Sequence, residues 1–349
     1  MTQEEIQAVD RSDMFSLLRS FPDQVRAAVA IANDTNIPLK AKGISHIVLS
    51  GLGGSAIGGD LLRALLATEL SVPFLVNRNY TLPKFVGPGT LVIISSYSGN
   101  TEETTSAYRE ALKRRAKILC ISSNGVTERV ARARKNCLIK IPGGLPPRVA
   151  LGYSFFPMLI ALSKIGFIGD KSRDIRETIA QIDQKTQEYG DPRSANNAAV
   201  MLAQQLRGRI GALYSSADHF DAVATRWRCQ FAENAKTLAT TNVLPEMNHN
   251  ELVGWKALGE QMAEMQVVFL RDRGDHRRIR TRMDITKEIL ASHTAHITEI
   301  WSEGRSLLAR MFSLICLGDW TSFYLAILHG EDPTPIAVID YLKNELANV

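Results

Sequence analysis

The chain has 349 residues, of which 45% are hydrophobic and 22% charged, and its formal net charge is +5. This length can bury a large core in one domain or two, and the composition is that of an ordinary soluble globular protein. The four cysteines lack CxxC spacing, which argues against a disulfide framework or a zinc site. We therefore expect reduced thiols and a cytoplasmic protein.

Membrane and nucleic-acid partners are not expected. The polar N-terminus, MTQEEIQAVDRSDM, lacks the pattern of a signal peptide. The most apolar late segment is interrupted by Arg310 and Asp319, so no membrane span is predicted. The dense basic run RDRGDHRRIRTR, at 271–282, contains acidic residues and no aromatic one. It is more typical of a solvated helix face or an anion-steering rim than of a nucleic-acid surface.

In chain order, the first half alternates predicted strands and helices. A helix over 22–34 is followed by the strand SHIVLSG, a glycine turn and a second helix. Further strands are predicted in PFLVNRN, TLVIISSYS, KILCISS and CLIKIPG, and further helices from about Thr101, after KILCISS and from about Tyr153. This spacing predicts right-handed βαβ units and a mainly parallel sheet with helices on both faces.

The second half repeats this alternation. The polar segment 171–194 predicts a connecting helix between two domains, 1–170 and 195–349. Strands are predicted in RIGALYSS, QVVFLRD and HITEIWS, with helices ending near Lys236 and Ile289 and a long helix over 306–328. The tail PIAVIDYLKNEL predicts a final amphipathic helix. The fold class is therefore α/β, with two similar halves that each contain a parallel sheet.

The stretch GLGGSAIGGD joins the first predicted strand to a helix, a layout that presents backbone N–H groups to a phosphate. Gly51, Gly53 and Ala56 satisfy the G-x-G-x-x-G/A pattern of dinucleotide-binding domains. That pattern also needs an acidic residue near the end of the second strand, which here ends in VNR. An NAD(P)-dependent oxidoreductase that uses Arg78 stays a minor alternative. A Walker A motif is excluded because no G-K-[ST] follows the glycines.

A second loop, SSYSGNTEET, also lies between an apolar strand and a helix. Asn100 is predicted to cap this helix, with Thr101 in the first turn. Ser96, Ser98 and Thr101 offer three hydroxyls, and the helix N-terminus adds free N–H groups. A dianionic monophosphate needs many donors around one compact group. The two loops together therefore predict a monophosphate site.

GGS at Gly53–Ser55, with S-x-S-G-x-T at Ser96–Thr101, resembles the SIS (sugar isomerase) family, whose matching loops bind the phosphate of a phosphosugar. The segments LPPRVALGYSFFP, ENAKTLATTNVLPEMNHNELVGW and IDYLK are similar to the bifunctional phosphoglucose/phosphomannose isomerases, so the resemblance covers nearly the whole chain. It implies two SIS-type three-layer αβα subdomains, each with a mainly parallel, flavodoxin-like sheet. It implies phosphate binding by Gly53, Gly54, Ser55, Ser96, Ser98 and Thr101.

The resemblance also implies the chemistry. Glucose 6-phosphate, and mannose 6-phosphate as well, would be interconverted with fructose 6-phosphate through a cis-enediolate, without cofactor or metal, as in glycolysis and gluconeogenesis. Glu233, in apolar surroundings that suit a base, would move the proton between C1 and C2. His249, from the partner subunit of a homodimer with shared active sites, would open the sugar ring together with Lys343. Arg148 would stabilise the enediolate, and Thr334 would line the sugar near C2.

Other interpretations of the same residues stay open. By spacing alone, Glu233 would be a solvent-facing partner of Lys236, and Lys343 an exposed lysine. His249 would be an incidental loop histidine, or a metal ligand with the glutamates near it, although no H-E-x-x-H motif supports a metal. A non-catalytic phosphosugar sensor is the main alternative function. It would leave Glu233, His249 and Lys343 unexplained, and no DNA-binding module is visible in the sequence.

Overall fold

The computed structural model describes residues 1–217, 219–346 and 348. They form two compact units, each built on a parallel sheet. The five-stranded unit comprises Ser20–Ile182 and Gly304–Ala309. The four-stranded unit comprises Met1–Arg19, Asp183–Glu303 and Arg310–Val349. The prediction of an α/β fold with two mainly parallel sheets is confirmed.

The helices, in chain order, are α1 (Gln3–Val9), α2 (Met14–Arg19), α3 (Phe21–Asp34), α4 (Gly53–Leu65), α5 (Glu102–Lys113), α6 (Gly125–Ala133), α7 (Leu151–Ile165), α8 (Ser172–Tyr189), α9 (Ala198–Leu206), α10 (Asp221–Glu233), α11 (Glu251–Gly254), α12 (Gly259–Ala263), α13 (Arg277–Leu290), α14 (Leu307–His329) and α15 (Ala337–Leu346). Short 3₁₀ turns lie at Pro147–Val149 and Glu246–His249. The predicted connecting segment 171–194 contains α8, and its domain boundaries stay a prediction. The first nineteen residues group with the four-stranded unit, whereas the sequence assigned them to the domain 1–170.

The five-stranded sheet contains β1 (His46–Ser50), β2 (Phe74–Asn77), β3 (Thr90–Ser96), β4 (Lys117–Ser122) and β5 (Cys137–Lys140). All four strand pairs are parallel, and the strand order is β2-β1-β3-β4-β5. The central strand, β3, is buried along its whole length, which explains its nearly continuous apolar sequence. The order is that of flavodoxin-like sheets, which bind ligands where the connections diverge, at the carboxyl ends of β1 and β3. Both polar loops noted in the sequence begin there.

The four-stranded sheet contains β6 (Gly211–Ser216), β7 (Ala239–Leu244), β8 (Gln266–Arg271) and β9 (Ile297–Trp301), in the order β7-β6-β8-β9. All its strand pairs are parallel. The sequence analysis missed β7. This strand lies at the sheet edge, is only partly buried and has the polar sequence ATTNVL, so it lacks an apolar strand pattern. The turn that carries His249 therefore follows a strand.

The long helix α14 corrects a second expectation. By length and hydropathy it is able to cross a membrane, but 94% of its most apolar window is buried inside the protein. The sequence analysis supposed that Arg310 and Asp319 exclude a membrane span in this segment, but by composition they do not. Burial gives the physical explanation, since a core helix surrounded by protein has the same apolar composition as a membrane span.

A buried polar network fastens α10 to α14. The Arg226 guanidinium donates to Asp319 at 2.7 Å, and the Gln230 amide donates to the other oxygen of Asp319 at 3.0 Å. The Asn234 amide donates to the Ser322 hydroxyl at 2.9 Å. Burial raises the pKa of Asp319, while the Arg226 charge acts in the opposite direction. Because these donors are spaced four residues apart along one face, they define both the rotation and the axial position of α10.

We predict that R226A lowers the free energy of unfolding by about 3–5 kcal/mol, because it leaves Asp319 as a buried carboxylate without its cation. The matched control is R228A, which removes an exposed arginine from the same helix and should cost no more than about 0.5 kcal/mol. Urea unfolding followed by tryptophan fluorescence measures both values. Equal stabilities for the two variants would contradict the assigned role of the network.

Candidate active site

The first polar loop turns the chain from β1 directly into α4. Only Gly51 and Leu52 separate the end of β1 from the first residue of α4. The 13-residue helix therefore directs its free N–H groups to the carboxyl edge of the sheet. Ser55, in its first turn, is buried, and its hydroxyl accepts a hydrogen bond from the Tyr97 N–H at 3.3 Å. An accepting hydroxyl keeps its own proton, which it can donate to an anion.

The second polar loop is a tight turn held by its own hydroxyls. The Ser96 hydroxyl accepts from the Gly99 N–H at 3.1 Å and lies 3.0 Å from the Thr101 hydroxyl. The Ser98 hydroxyl is exposed and accepts from the Asn100 N–H at 3.4 Å. Ser96 is only 1% exposed, so its direct contact with a phosphate stays a prediction.

The predicted cap of α5 was wrong by one residue. Thr101 occupies the N-cap position and α5 begins at Glu102. The Asn100 side chain instead accepts a hydrogen bond from the Val126 N–H at 3.1 Å, in the first turn of α6. A long-range contact therefore takes the side chain that local spacing had assigned to the helix.

The β4–α6 connection supports this second loop from one side. The Ser122 hydroxyl donates to the Ser96 carbonyl at 2.8 Å, and the Ser123 hydroxyl donates to the Tyr97 carbonyl at 2.6 Å. A Cβ atom at Gly99, where φ is +71°, would lie 1.7 Å from the Asn124 carbonyl oxygen. Only glycine fits this position, so the turn is built against its neighbour and is not a free surface loop.

Tyr97 joins three segments of the site, and the sequence analysis did not single it out. Its N–H donates to Ser55, its carbonyl accepts from Ser123, and its phenolic oxygen accepts from the Leu145 N–H at 3.1 Å. Burial raises the pKa of Tyr97, which keeps the phenol neutral. The sequence did contain one signal for Tyr97. It is an aromatic residue within a run of Ser, Gly, Asn and Thr, where no local interaction calls for an aromatic side chain.

Arg148 lies in the 3₁₀ turn Pro147–Val149 and is only 4% exposed. The side chain of Gln24, on α3, holds this turn from the other side. Its amide nitrogen donates to the Val149 carbonyl at 2.8 Å, and its amide oxygen accepts from the Gly152 N–H at 2.8 Å. Gln24 is a second positioning residue that the sequence analysis missed, because its partners are more than a hundred residues away in the chain.

The arginine turn packs directly on the start of α4. A Cβ atom at Gly54 would lie 2.4 Å from the Pro147 carbonyl oxygen and 3.4 Å from the Arg148 nitrogen. The Ser154 hydroxyl donates to the Gly54 carbonyl at 3.2 Å, which adds a second tie. The five-stranded unit thus brings together one cluster of residues predicted from the sequence: Gly53, Gly54, Ser55, Ser96, Ser98, Thr101 and Arg148.

The remaining predicted residues belong to the four-stranded unit. Glu233 is the last residue of α10 and is partly buried. The predicted partner Lys236 does approach it, but its ammonium donates to the Glu233 backbone carbonyl at 2.7 Å. The same ammonium donates to the Pro333 carbonyl at 3.3 Å, beside the partly buried Thr334. The structure therefore brings the ends of the Glu233 and Thr334 segments together.

His249 ends the 3₁₀ turn after β7, and its side chain is exposed. The residues that follow anchor this turn. Glu251 accepts hydrogen bonds from the Tyr214 hydroxyl at 2.5 Å and from the Asn242 amide at 2.6 Å. The Trp255 indole donates to the Tyr214 oxygen at 3.2 Å. Because both carboxylate oxygens of Glu251 already accept hydrogen bonds, its side chain is a structural anchor for the turn.

Lys343 lies on α15, none of whose described residues is buried. Its ammonium is 3.7 Å from the Asp340 carboxylate one turn earlier, an exposed pair. No described contact joins Lys343 to the Glu233 or His249 segments within the residues that the structure covers. The chain alone therefore leaves two predicted ring-opening groups, His249 and Lys343, on exposed surfaces.

The structure gives contacts that bear on the dinucleotide and metal alternatives that the sequence left open. Arg78, the residue that a dinucleotide phosphate would need, forms an ion pair with Asp60 of α4. Over residues 1–217, 219–346 and 348, no group of three or more His, Cys, Asp or Glu side chains is arranged to hold a metal ion.

In the basic run 271–282, Arg271 is buried and paired with Glu299 and Asp284, while most of the other arginines are exposed.

Comparison with known proteins identifies the family. The SIS domain model matches residues 42–163, and the model of the bacterial phospho-glucose isomerase C-terminal SIS domain matches residues 195–346. The chain is 42% identical to a bifunctional phosphoglucose/phosphomannose isomerase of Caldicellulosiruptor bescii, over 96% of this chain and 99% of that protein. The chain belongs to the bifunctional phosphoglucose/phosphomannose isomerase family.

Other members of this family and a solved structure are also similar. The protein of the same name from Aquifex aeolicus is 36% identical, over 86% of this chain and 90% of that protein. The crystal structure of a glucose-6-phosphate isomerase like protein from Thermus thermophilus superimposes with a TM-score of 0.65 and 21% identity, covering 97% of this chain and 98% of that chain. That structure supports the fold of two SIS-type subdomains, as predicted.

We predict that G54A raises the Kd for inorganic phosphate at least about tenfold, a loss of about 1.4 kcal/mol. The added methyl group would collide with the Pro147 carbonyl and push α4 away from the arginine turn. G87A is the matched control, because a Cβ atom there meets nothing within 4 Å. Titration calorimetry on both variants measures the effect. Phosphate binding by G54A at wild-type strength would contradict the proposed site.

Proposed function

We propose that this chain interconverts glucose 6-phosphate, and mannose 6-phosphate as well, with fructose 6-phosphate. The observation that carries the proposal is the convergence of the α4 N-terminus, the Ser96–Thr101 loop and Arg148 at the carboxyl ends of β1 and β3. This set of hydroxyls and N–H groups suits a compact phosphate dianion. The names of the relatives, all but one of the eight being phosphoglucose/phosphomannose isomerases, support the same sugar class.

The roles follow from chemistry and position. Glu233, fixed at the end of α10, takes the proton from C2 of the open aldose and returns it to C1 of the enediolate. Arg148, held in its turn by Gln24, supplies positive charge to the enediolate oxygens. His249 and Lys343 act as the acid and base that open the ring, and Thr334 lines the sugar near C2. The proposed reaction needs no redox cofactor, because the change of oxidation level takes place between C1 and C2 of the same sugar, and we propose no metal, because Arg148 supplies the positive charge at the enediolate oxygens.

We also propose a homodimer whose active sites are shared. His249 and Lys343 are exposed in the single chain, as an acid–base pair completed by another copy would be. The same surfaces carry apolar residues open to solvent, which favours burial against a partner. These residues are Val253 and Leu258 after the His249 turn, and Val338, Tyr341, Leu342 and Leu346 on α15.

The place of the reaction in the cell is part of the proposal. An enzyme that links two hexose phosphates serves glycolysis and gluconeogenesis, and its substrates are cytoplasmic. The burial of α14 within the protein agrees with a protein that works in solution. We propose a sugar phosphate as the ligand and a second copy of the chain as the partner, with neither a nucleic acid nor a membrane.

We predict that E233Q lowers kcat at least about 10³-fold, because an amide cannot accept the C2 proton. Sorbitol 6-phosphate, a linear phosphate without a carbonyl group, should still bind within about twofold of wild type, since the phosphate site is unchanged. NMR in D₂O with glucose 6-phosphate and with mannose 6-phosphate measures both C2 exchange and fructose 6-phosphate formation. E260Q, which changes an exposed glutamate on α12, is the control.

The outcomes separate the alternatives. Wild-type protein that binds sorbitol 6-phosphate but neither exchanges C2 protons nor forms ketose would be a phosphosugar sensor. Turnover by E233Q at the wild-type rate would remove Glu233 from the role of base. Activity on only one aldose would restrict the substrate and leave the mechanism in place.

Shared active sites predict complementation between two inactive variants. E233Q and H249Q should each be inactive, but their hybrid dimer contains one site with both native groups. Co-expression in equal amounts would form hybrids as half of all dimers, so we expect about a quarter of wild-type activity. Co-expression of two differently tagged E233Q chains is the control and should stay inactive. If purified hybrid dimers show no isomerase activity, His249 acts within its own subunit or has no part in the reaction.

A further inference from the structure

Lys236 is a non-glycine residue with a left-handed backbone. It lies three residues after the end of α10, with φ at +55°, in the left-handed region that favours glycine. Non-glycine residues persist in this region when the surrounding structure over-determines them, often at functional positions. Because Lys135 has the same conformation after α6 with an exposed side chain, the backbone alone assigns Lys236 no role.

The contacts of the Lys236 side chain are what set it apart. Its ammonium group donates to three backbone carbonyls: Glu233 at 2.7 Å, Asn234 at 3.3 Å and Pro333 at 3.3 Å. A lysine ammonium has three donors, so these contacts use its full capacity. Two of the acceptors are end-of-helix carbonyls of α10 that lack intrahelical partners, and the negative end of the helix dipole also attracts the charge.

The third acceptor belongs to a different segment. Pro333 lies in the turn that follows α14, where the Thr334 N–H donates to the Asp332 carboxylate at 3.0 Å. The other oxygen of Asp332 accepts from the Ser12 hydroxyl at 3.1 Å. This second anchoring keeps the turn in place from the far side. Lys236 is thus a side chain that connects the Glu233 backbone to the turn carrying Thr334.

A neighbouring contact closes the same junction. The imidazole Nδ1 of His329, the last residue of α14, lies 3.1 Å from the Ala235 carbonyl oxygen. The carbonyls of residues 233, 234 and 235 therefore all have partners from Lys236 or His329. Because His329 contacts only the Ala235 carbonyl among these, it cannot replace the bond from Lys236 to Pro333.

We propose that Lys236 is a positioning residue for the reaction. It sets the distance between the backbone of the general base Glu233 and the Thr334 turn that lines the sugar near C2. This inference rests on the proposed function, since it assigns Lys236 no contact with substrate. It acts through three backbone carbonyls, so its loss should misplace the base relative to C2 while leaving the phosphate loops, which belong to the five-stranded unit, unchanged.

The test uses two substitutions that separate the side chain from the backbone. K236M removes the three donors and keeps the apolar stem and the strain. K236G removes the donors as well but relieves the strain, so it should fold at least as stably as K236M. For both variants we expect kcat to fall about 10- to 100-fold, as misplacement of a catalytic group by about 1 Å does. The affinity for sorbitol 6-phosphate should stay within about twofold of wild type.

Lys135 offers a matched control. It follows the end of α6 with nearly the same backbone, φ +54°, and its side chain is exposed. K135M and K135G therefore make the same chemical changes at the same kind of helix end, away from the Glu233 segment, and should leave kcat unchanged. K236R, which restores charge and donors, should recover part of the lost kcat.

Each outcome decides the proposal. Full kcat in K236G, with active wild-type enzyme, would overturn the positioning role and leave the proposed function intact. A loss of sorbitol 6-phosphate binding equal to the loss of kcat would also overturn it, because a general structural defect would then explain the effect. A shift in the ratio of kcat on glucose and mannose 6-phosphates would support the link to the Thr334 turn. Wild-type enzyme inactive on both aldoses would refute the proposed function and the inference that rests on it.

Discussion

The close approach of Gly54 to the Pro147 carbonyl is the constraint on which the phosphate-loop region depends. With no side chain at Gly54, the first turn of α4 packs on the turn that carries Arg148. The Ser154 hydroxyl then reaches the Gly54 carbonyl, and Tyr97 connects Ser55 to the Leu145 segment. A helix N-terminus, a hydroxyl-rich loop and a buried arginine are thereby held against one sheet edge. Any larger residue at position 54 would collide with the Pro147 carbonyl and separate these parts.

The four-stranded unit uses a different physical solution for its predicted catalytic group. Glu233 lies at the end of a helix whose rotation and height are defined by buried ion-pair and amide contacts with α14. Such contacts add little net stability because the desolvation of Arg226 and Asp319 offsets their attraction. They instead restrict α10 to one arrangement, since any slip along the helix would leave buried polar groups without partners. The end of the helix is then held by Lys236 and His329.

The regular elements of this chain were predictable where the local pattern was strong. The strands β1, β3, β4, β6 and β8 have apolar runs and were found, because central strands of parallel sheets are buried on both faces. The edge strand β7 was missed because partial burial permits the polar sequence ATTNVL. The α5 cap was misplaced because the Asn100 side chain binds the Val126 N–H, a contact 26 residues away that no local rule anticipates. In both cases the tertiary environment overrode a weak local signal.

The sequence by itself determined the α/β fold class and the two phosphate loops, because the strand and helix patterns and the loop residues are directly visible, while the resemblance of its motifs to known proteins indicated the family and the candidates Glu233, His249, Arg148 and Lys343. Only the tertiary structure revealed that Tyr97 joins the phosphate loops, that Gln24 holds the Arg148 turn and that Lys236 contacts the Glu233 and Pro333 carbonyls. The physical reason is distance along the chain. The partners of these three side chains are 48, 125 and 97 residues away, so folding alone brings them within hydrogen-bonding range.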